Sequence, residues 1–309
     1  MQHFETPGKV RVFVTNRAGW IEVTADETTV TEVETVALYP EAEEVARATR
    51  VTSAPAPDGF AVRVEVPARQ QLWGTRADAV GVRLRVPVDT DLDVTAASAD
   101  VKTRGGLGAV RVETASGDVW LDAVRANARV ATASGDVAVT SCGGPANIRT
   151  ASGDVRVEEV SGPLQIQSAS GDQVVGTAPD ACRLESASGD IRIRQALGSL
   201  EIRTASGDIT VETARGQLAL SSRSGDVEVG SAMEGRTLLD TASGDIVLGI
   251  APGSRLAVNA HSRSGDVYSA IALESEPLGD QTSPLIDVEA NTGSGDIRIQ
   301  RAFSATEMP

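Results

Sequence analysis

The residues of this chain best placed to do chemistry are eleven aspartates. Asp100, Asp118, Asp136, Asp154, Asp172, Asp190, Asp208 and Asp226 recur every 18 residues, and Asp245, Asp266 and Asp296 continue the series at steps of 19, 21 and 30. Ten of the eleven close a Ser-Gly-Asp triplet; Asp100 follows Ser98-Ala99 instead. Carboxylates set in register by a repeat could ligate a hard cation such as calcium, which takes several oxygens at once, or form a row of acid–base groups. A catalytic site is normally unique, however, and these aspartates come in copies. The Gly/Asp-rich β-rolls that hold calcium between coils use a Gly-Gly-x-Gly-x-Asp nonapeptide, which is absent here, and one carboxylate per coil is few for such an ion. Stacked at the strand spacing, the carboxylates would repel by about 0.9 kcal/mol per neighbouring pair even in water. Backbone N–H groups at a chain corner would offset that repulsion, so the series is read first as a set of turn caps, with calcium as the alternative.

Other reactive side chains are sparse. The two histidines, His3 near the start and His261 before a corner, come without a motif that would pair either with a nucleophile. Cys142 and Cys182 stand at different phases of the repeat, about two repeats apart. That offset is about 10 Å along a stack of strands, beyond the roughly 7 Å Cα separation a disulfide spans, so both are expected to be small core residues. Cys/His clustering for zinc and a phosphate-cradling Gly-rich loop leading into a helix are both missing. The reading therefore assigns no catalytic, cofactor-binding or metal residues, and the chain is expected not to be an enzyme. A net charge of -15 argues against nucleic acid as a partner, which needs clustered Lys and Arg. No apolar run reaches the length of a transmembrane helix. Met1 to Thr24 shows no basic stretch followed by an apolar run, which makes the cytoplasm the expected location, short of export by a non-classical route.

The elements that must position the aspartates follow from the residues around them. Eight and six positions before the aspartate stand Val110 and Val112, Leu164 and Ile166, Cys182 and Leu184, Leu200 and Ile202, and Leu218 and Leu220. One and three positions after it stand Val137 and Val139, Val155 and Val157, Ile191 and Ile193, Ile209 and Val211, and Val227 and Val229. Each set alternates with variable residues such as Arg111, Gln165 and Glu201, the mark of a strand with one buried face. The step between the two sets, from six before to one after, is odd, so continuous pleating would put the second on the wrong face. Ser-Gly-Asp must therefore be a corner, with Gly117 and its equivalents supplying backbone freedom. A glycine ten residues before the aspartate, as at Gly108, Gly144 and Gly162, marks a second corner. Two strands and two corners in 18 residues make one coil of a β-solenoid, whose contour of at most about 60 Å encloses a thin aliphatic core. Hydrophobic residues make up 41% of the chain and aromatics only 3%, which suits such an interior. The same phase turns Thr114 and Ser116, with their equivalents, inward at the corner, and leaves Ala115, Ala133 and Ala151 outside as a narrow apolar stripe interrupted by Arg223 and Arg263.

The chain is expected to divide into an N-terminal β-rich cap with a degenerate coil over 1–91, regular coils over 92–267, and a surface loop, final coil and C-terminal tail over 268–309. In the cap, Val12 to Val23 fits the coil template with Trp20 in the aspartate position. A short helix is expected across Glu41 to Ala48, a break at Ala54-Pro55-Ala56-Pro57, strands at Ala61 to Val66 and Val80 to Val86, and, near the C-terminus, a loop at Leu273 to Pro284. The Thr-Ala-Ser-Gly-Asp-Val/Ile repeats, preceded by Asn16-Arg17-Ala18-Gly19-Trp20-Ile21 and Val86-Pro87-Val88-Asp89-Thr90, resemble a bacterial β-strand-repeat family of unknown function often labelled adhesin. The resemblance covers nearly the whole chain, implies a right-handed parallel β-helix, and brings no catalytic residue with it. Three roles stay open: a non-enzymatic scaffold or protein-interaction module, an end-to-end self-assembling structural protein, and an adhesin-like or envelope-stress surface protein. The expected partner is another protein or a second copy of the chain.

Overall fold

Alternation of β-branched and polar residues builds nearly every element of the chain. A computed structural model describes residues 1–67, 78–271 and 284–302. The chain divides into two compact units, Met1–Val157 and Glu158–Pro309. Both are built of short parallel strands stacked coil on coil, a β-solenoid.

In the first unit, strand Val110–Glu113 pairs in parallel with Ala128–Ala131, which pairs in turn with Ala146–Arg149. Val119–Val124 pairs in the same way with Val137–Cys142. Partners in each ladder are 18 residues apart, so side chains of equal phase stack on one another. Val112, Val130 and Ile148 form one fully buried column, and Val119 and Val137 stand in another. Each such side chain contributes roughly 1.5–3 kcal/mol by leaving water. The long strand Lys9–Asp26 runs parallel to Asp91–Arg104 with Trp20 opposite Asp100. On its other side it pairs with Gly59–Glu65 and Ala79–Pro87. Beyond those lie the antiparallel strands Arg50–Ala56 and Val30–Ala37. A single turn at Pro40–Ala42 leads into the one helix among the described residues, Glu43–Ala48.

Two expectations for this unit change. The proposed break at Ala54-Pro55-Ala56-Pro57 is the end of a strand and a turn: Ala54 to Ala56 finish Arg50–Ala56, and Pro57-Asp58 turn the chain into Gly59–Glu65. Pro55 is tolerated because, among the described residues, this strand pairs on one side only, and a missing N–H on the open side costs no ladder bond. The corner glycines also work differently from the expectation. Gly117, Gly135 and Gly153 do not hold positive φ. A Cβ on Gly153 would instead run into the carbonyl of Gly135 one coil away, so close approach is what demands glycine here.

In the second unit the ladders continue through Cys182–Ser188, Leu200–Ser206 and Leu218–Ser224 on one side. On the other they run through Ile191–Ala196, Ile209–Ala214 and Val227–Ala232. Here the corner glycine does adopt the left-handed region, for example φ 115° at Gly189 and 133° at Gly207. Sequence order and stacking order part company at the end. Gly235–Ser243 pairs with Leu285–Thr292, which pairs on its far side with Arg255–Ser262. Ile246–Ile250 likewise pairs with Ile297–Arg301, and that strand with Val267–Ser269. The coil carrying Asp296 therefore lies between the coils of Asp245 and Asp266. The 30-residue step is where the chain doubles back. The loop expected at Leu273 to Pro284 falls, but for Pro284, outside the described residues.

Candidate functional site

The aspartates do stand at coil corners, and their partners are one another's backbones. In the first unit the amide of Asp118 donates to Asp100 Oδ1 at 3.1 Å, that of Asp136 to Asp118 Oδ1 at 2.9 Å, and that of Asp154 to Asp136 Oδ1 at 2.9 Å. In the second unit Asp190 donates to Asp172, Asp208 to Asp190 and Asp226 to Asp208, at 2.8–2.9 Å. The series then runs from Asp245 to Asp226, Asp296 to Asp245 and Asp266 to Asp296, at 2.8–3.0 Å. Nine of the eleven carboxylates thus accept a charge-assisted bond from the next coil, which offsets the repulsion between neighbours. Sequence reasoning placed the caps but looked for their donors within the same corner. The bond to the next coil depends on register, which only the stacked structure supplies.

Hydroxyls complete the corner, and here the sequence phase holds for only one of the two rows. Thr114, Thr132, Thr150 and Thr204 are buried, as expected. Thr114 and Thr132 Oγ1 accept the amides of Gly117 and Gly135 at 3.2 and 3.0 Å. Ser116, Ser134, Ser152 and Ser206 are exposed instead. The bend falls between threonine and aspartate, so pleating cannot be carried across it to the serine. Ala115, Ala133 and Ala151 lie on the surface, as do Arg223 and Arg263.

The remaining candidates scatter. His3 Nδ1 lies 3.3 Å from the carboxylate of Glu32. His261 is exposed on Arg255–Ser262, and its side chain makes no hydrogen bond among the described residues. Cys142 and Cys182 are both free and buried. Burial pushes the Cys182 thiol up to about 12, which removes the thiolate that nucleophilic or metal chemistry needs. Among the described residues no three His, Cys, Asp or Glu side chains come together as a metal set. Among the described residues no helix is long and apolar enough to cross a membrane. Two residues escaped the sequence reading. Gln173 fills a core position that the neighbouring coils give to Ile191 and Ile209; it is fully buried and donates from Nε2 to the Glu185 carbonyl at 3.1 Å. Trp120 points outward and is 41% exposed. Its place one residue after the inward Val119 was the available signal, since every second residue of a coil faces solvent.

Outside the ladder, the exterior rows carry pairs of opposite charge. In the second unit Gln167 and Arg183 both donate to the carboxylate of Glu185, each at 2.9 Å, and hold it below the usual carboxylate range. Arg194 reaches Glu158 at 2.6 Å, two coils away in sequence. Each unit presents a surface whose rows differ from coil to coil. Fold and corner together define a parallel β-solenoid braced by an aspartate ladder, with no assembled reaction centre among the described residues.

This chain belongs to the Toastrack DUF4097 family, which matches it over residues 21–197 and again over 174–300. No curated protein matches it in sequence. Two solved structures are similar to it along their length. One is a candidate cell adhesion protein from Clostridium sporogenes, with 9% identity, 95% of this chain and 93% of that one covered, and a TM-score of 0.25. The other is a candidate adhesin from Bacteroides fragilis, with 13% identity, coverage of 96% and 95%, and a TM-score of 0.32.

Proposed function

We propose that the chain is a non-enzymatic scaffold whose exterior rows bind a partner protein. The observation that supports this is a constant interior beneath a varied exterior. Inward positions repeat aliphatic residues, as in Val119 and Val137 or Ile191, Ile209 and Val227. The outward positions beside them change at every coil, from Lys102 through Trp120 to Ala138, and from Arg192 through Thr210 to Glu228. Packing alone explains the first series and leaves the second free to carry specificity. Trp120 is the exterior side chain best suited to anchor a partner, being large, rigid and exposed. The test is binding of a purified protein, first captured with this chain from its own cells, to the wild type and to Trp120→Ser. Saturable binding that weakens at least tenfold in the variant supports the scaffold. Turnover of a small molecule by the purified chain, with no saturable protein partner, would refute it.

A second role, self-association, is favoured by the terminal coil. Among the described residues Arg255–Ser262 and Val267–Ser269 each pair on one side only. Val267 is 46% exposed, where Val227 in the equivalent position is fully buried. Among the described residues Asp266 Oδ1 receives no N–H, and its Oδ2 accepts the Tyr268 hydroxyl at 3.0 Å. Unpaired edges of this kind accept a further strand. In this role two copies join through Arg255–Ser262, and light scattering across a hundredfold range of concentration reads it directly. A monomer throughout rules it out. Fractionation of the source cells decides between a cytoplasmic and a surface site.

A further inference from the structure

We infer that a shallow depression on the outer face of the first unit is a carbohydrate site that holds a neutral pyranose ring. It has a volume of about 220 Å³, and its polar and aromatic lining comes from Arg11, Phe13, Asp91, Asp93, Arg111 and Asn127, with Ala109 among them. The register explains why it exists. Arg11 and Phe13 stand opposite Asp91 and Asp93, and Asp93 stands opposite Arg111 in the next coil. Across three adjacent coils the outward row then reads Arg11, Asp91, Ala109, so a methyl group stands where its neighbours have long or charged side chains. The gap above Ala109 is bordered by those longer side chains.

Its chemistry selects among ligands. Phe13 is half-buried and held in place by the Arg63 guanidinium, which stacks 4.3 Å from the ring centroid. Arg11 is paired with Asp91 and Asp58, each at 3.7 Å, and Arg111 with Glu113. Asp91 also holds Lys9 at 3.0 Å and the Ala109 amide at 2.9 Å. The cations are thus already matched, which disfavours an anionic ligand. Two polar groups are left over. The Asp93 carboxylate feels the charge of Arg111 but makes no hydrogen bond or ion pair among the described residues, and neither does the Asn127 side chain. A carboxylate acceptor and an amide that both donates and accepts, set beside an aromatic ring, complement a molecule with one apolar face and a rim of hydroxyls. That is the surface of a pyranose. The volume is below the roughly 300 Å³ at which sites for drug-sized ligands begin, so a single sugar ring or the end of a chain is the fitting size.

The site is independent of the partner-protein proposal, since it uses neither Trp120 nor the terminal coil. Saturation-transfer difference NMR tests it with the methyl glycosides of glucose, galactose and N-acetylglucosamine as probes. At least one glycoside is expected to take up saturation on its ring protons from the full-length chain. That signal should fall at least fivefold in Asp93→Ala and in Asn127→Ala, two surface changes that leave the core untouched. Phe13→Leu, checked for an unchanged melting curve, should also reduce it, and Arg203→Ala, in the second unit, should not. Absence of saturation for all three glycosides would overturn the inference. So would a signal that survives Asp93→Ala and Asn127→Ala, because it would come from elsewhere on the surface.

Discussion

A carboxylate at a corner can serve the coil above it only if the backbone beneath leaves room for the two to approach, and the glycine before each aspartate provides that room. In the first unit Gly153 is constrained by the Gly135 carbonyl rather than by its own φ. Gly153→Ala is therefore expected to cost more than about 2 kcal/mol, as overpacking against a rigid neighbour does. Arg156→Ala, at an exposed exterior position, should stay within about 0.5 kcal/mol. Equal urea midpoints for the two variants would show that the corner is assigned wrongly. Cys182 offers a second check at this scale. With its thiol buried and pushed up to about 12, it should resist iodoacetamide at pH 8 in the folded protein and react once urea exposes it. Rapid native labelling would place it outside the core. The corner aspartates were legible because the 18-residue interval and the odd step between apolar sets needed no structure to interpret. Their donors were not, because a bond from Asp154 to Asp136 exists only once coils are in register. Ser116 was misplaced for a related reason: alternation reads along a strand and fails at the bend that the strand runs into.

At the scale of elements, the strands were legible wherever one face is buried, as in Leu200–Ser206 and Ile209–Ala214. Arg50–Ala56 was not. It is largely unburied and carries Pro55, and those features signal a loop until the pairing with Gly59–Glu65 is seen. The transposed coil was hidden for another reason. The repeat specifies what a coil looks like but not which coil it lies beside. Hydrogen exchange distinguishes the two orders. Among the described residues Leu285–Thr292 has partners on both sides, whereas Arg255–Ser262 has one. Amides of the former are expected to exchange more slowly than those of the latter, despite lying nearer the C-terminus. Faster exchange in Leu285–Thr292 would restore the order of the sequence.

At the scale of the whole molecule, a single rule holds in both units: an interior of aliphatic columns, a corner ladder, and exterior rows that differ at each coil. The net charge of -15 spreads over those rows and the ladder, and the ladder decides whether part of it is matched by metal. If the aspartates are caps, an acceptor oxygen is what the corner needs, and the weaker bond to a neutral oxygen is offset by the repulsion it relieves. If they hold calcium, the charge matters and asparagine is no substitute. The most direct test is urea unfolding of Asp208→Asn and Asp208→Ala, each with calcium and with chelator. Asp208 accepts the Asp226 amide and donates its own amide to Asp190. The ladder predicts that Asp208→Asn keeps wild-type stability, that Asp208→Ala loses about 1 kcal/mol with its lost bond, and that calcium changes neither. Equal losses in both variants, with a wild type that calcium stabilises and chelator weakens, would contradict it.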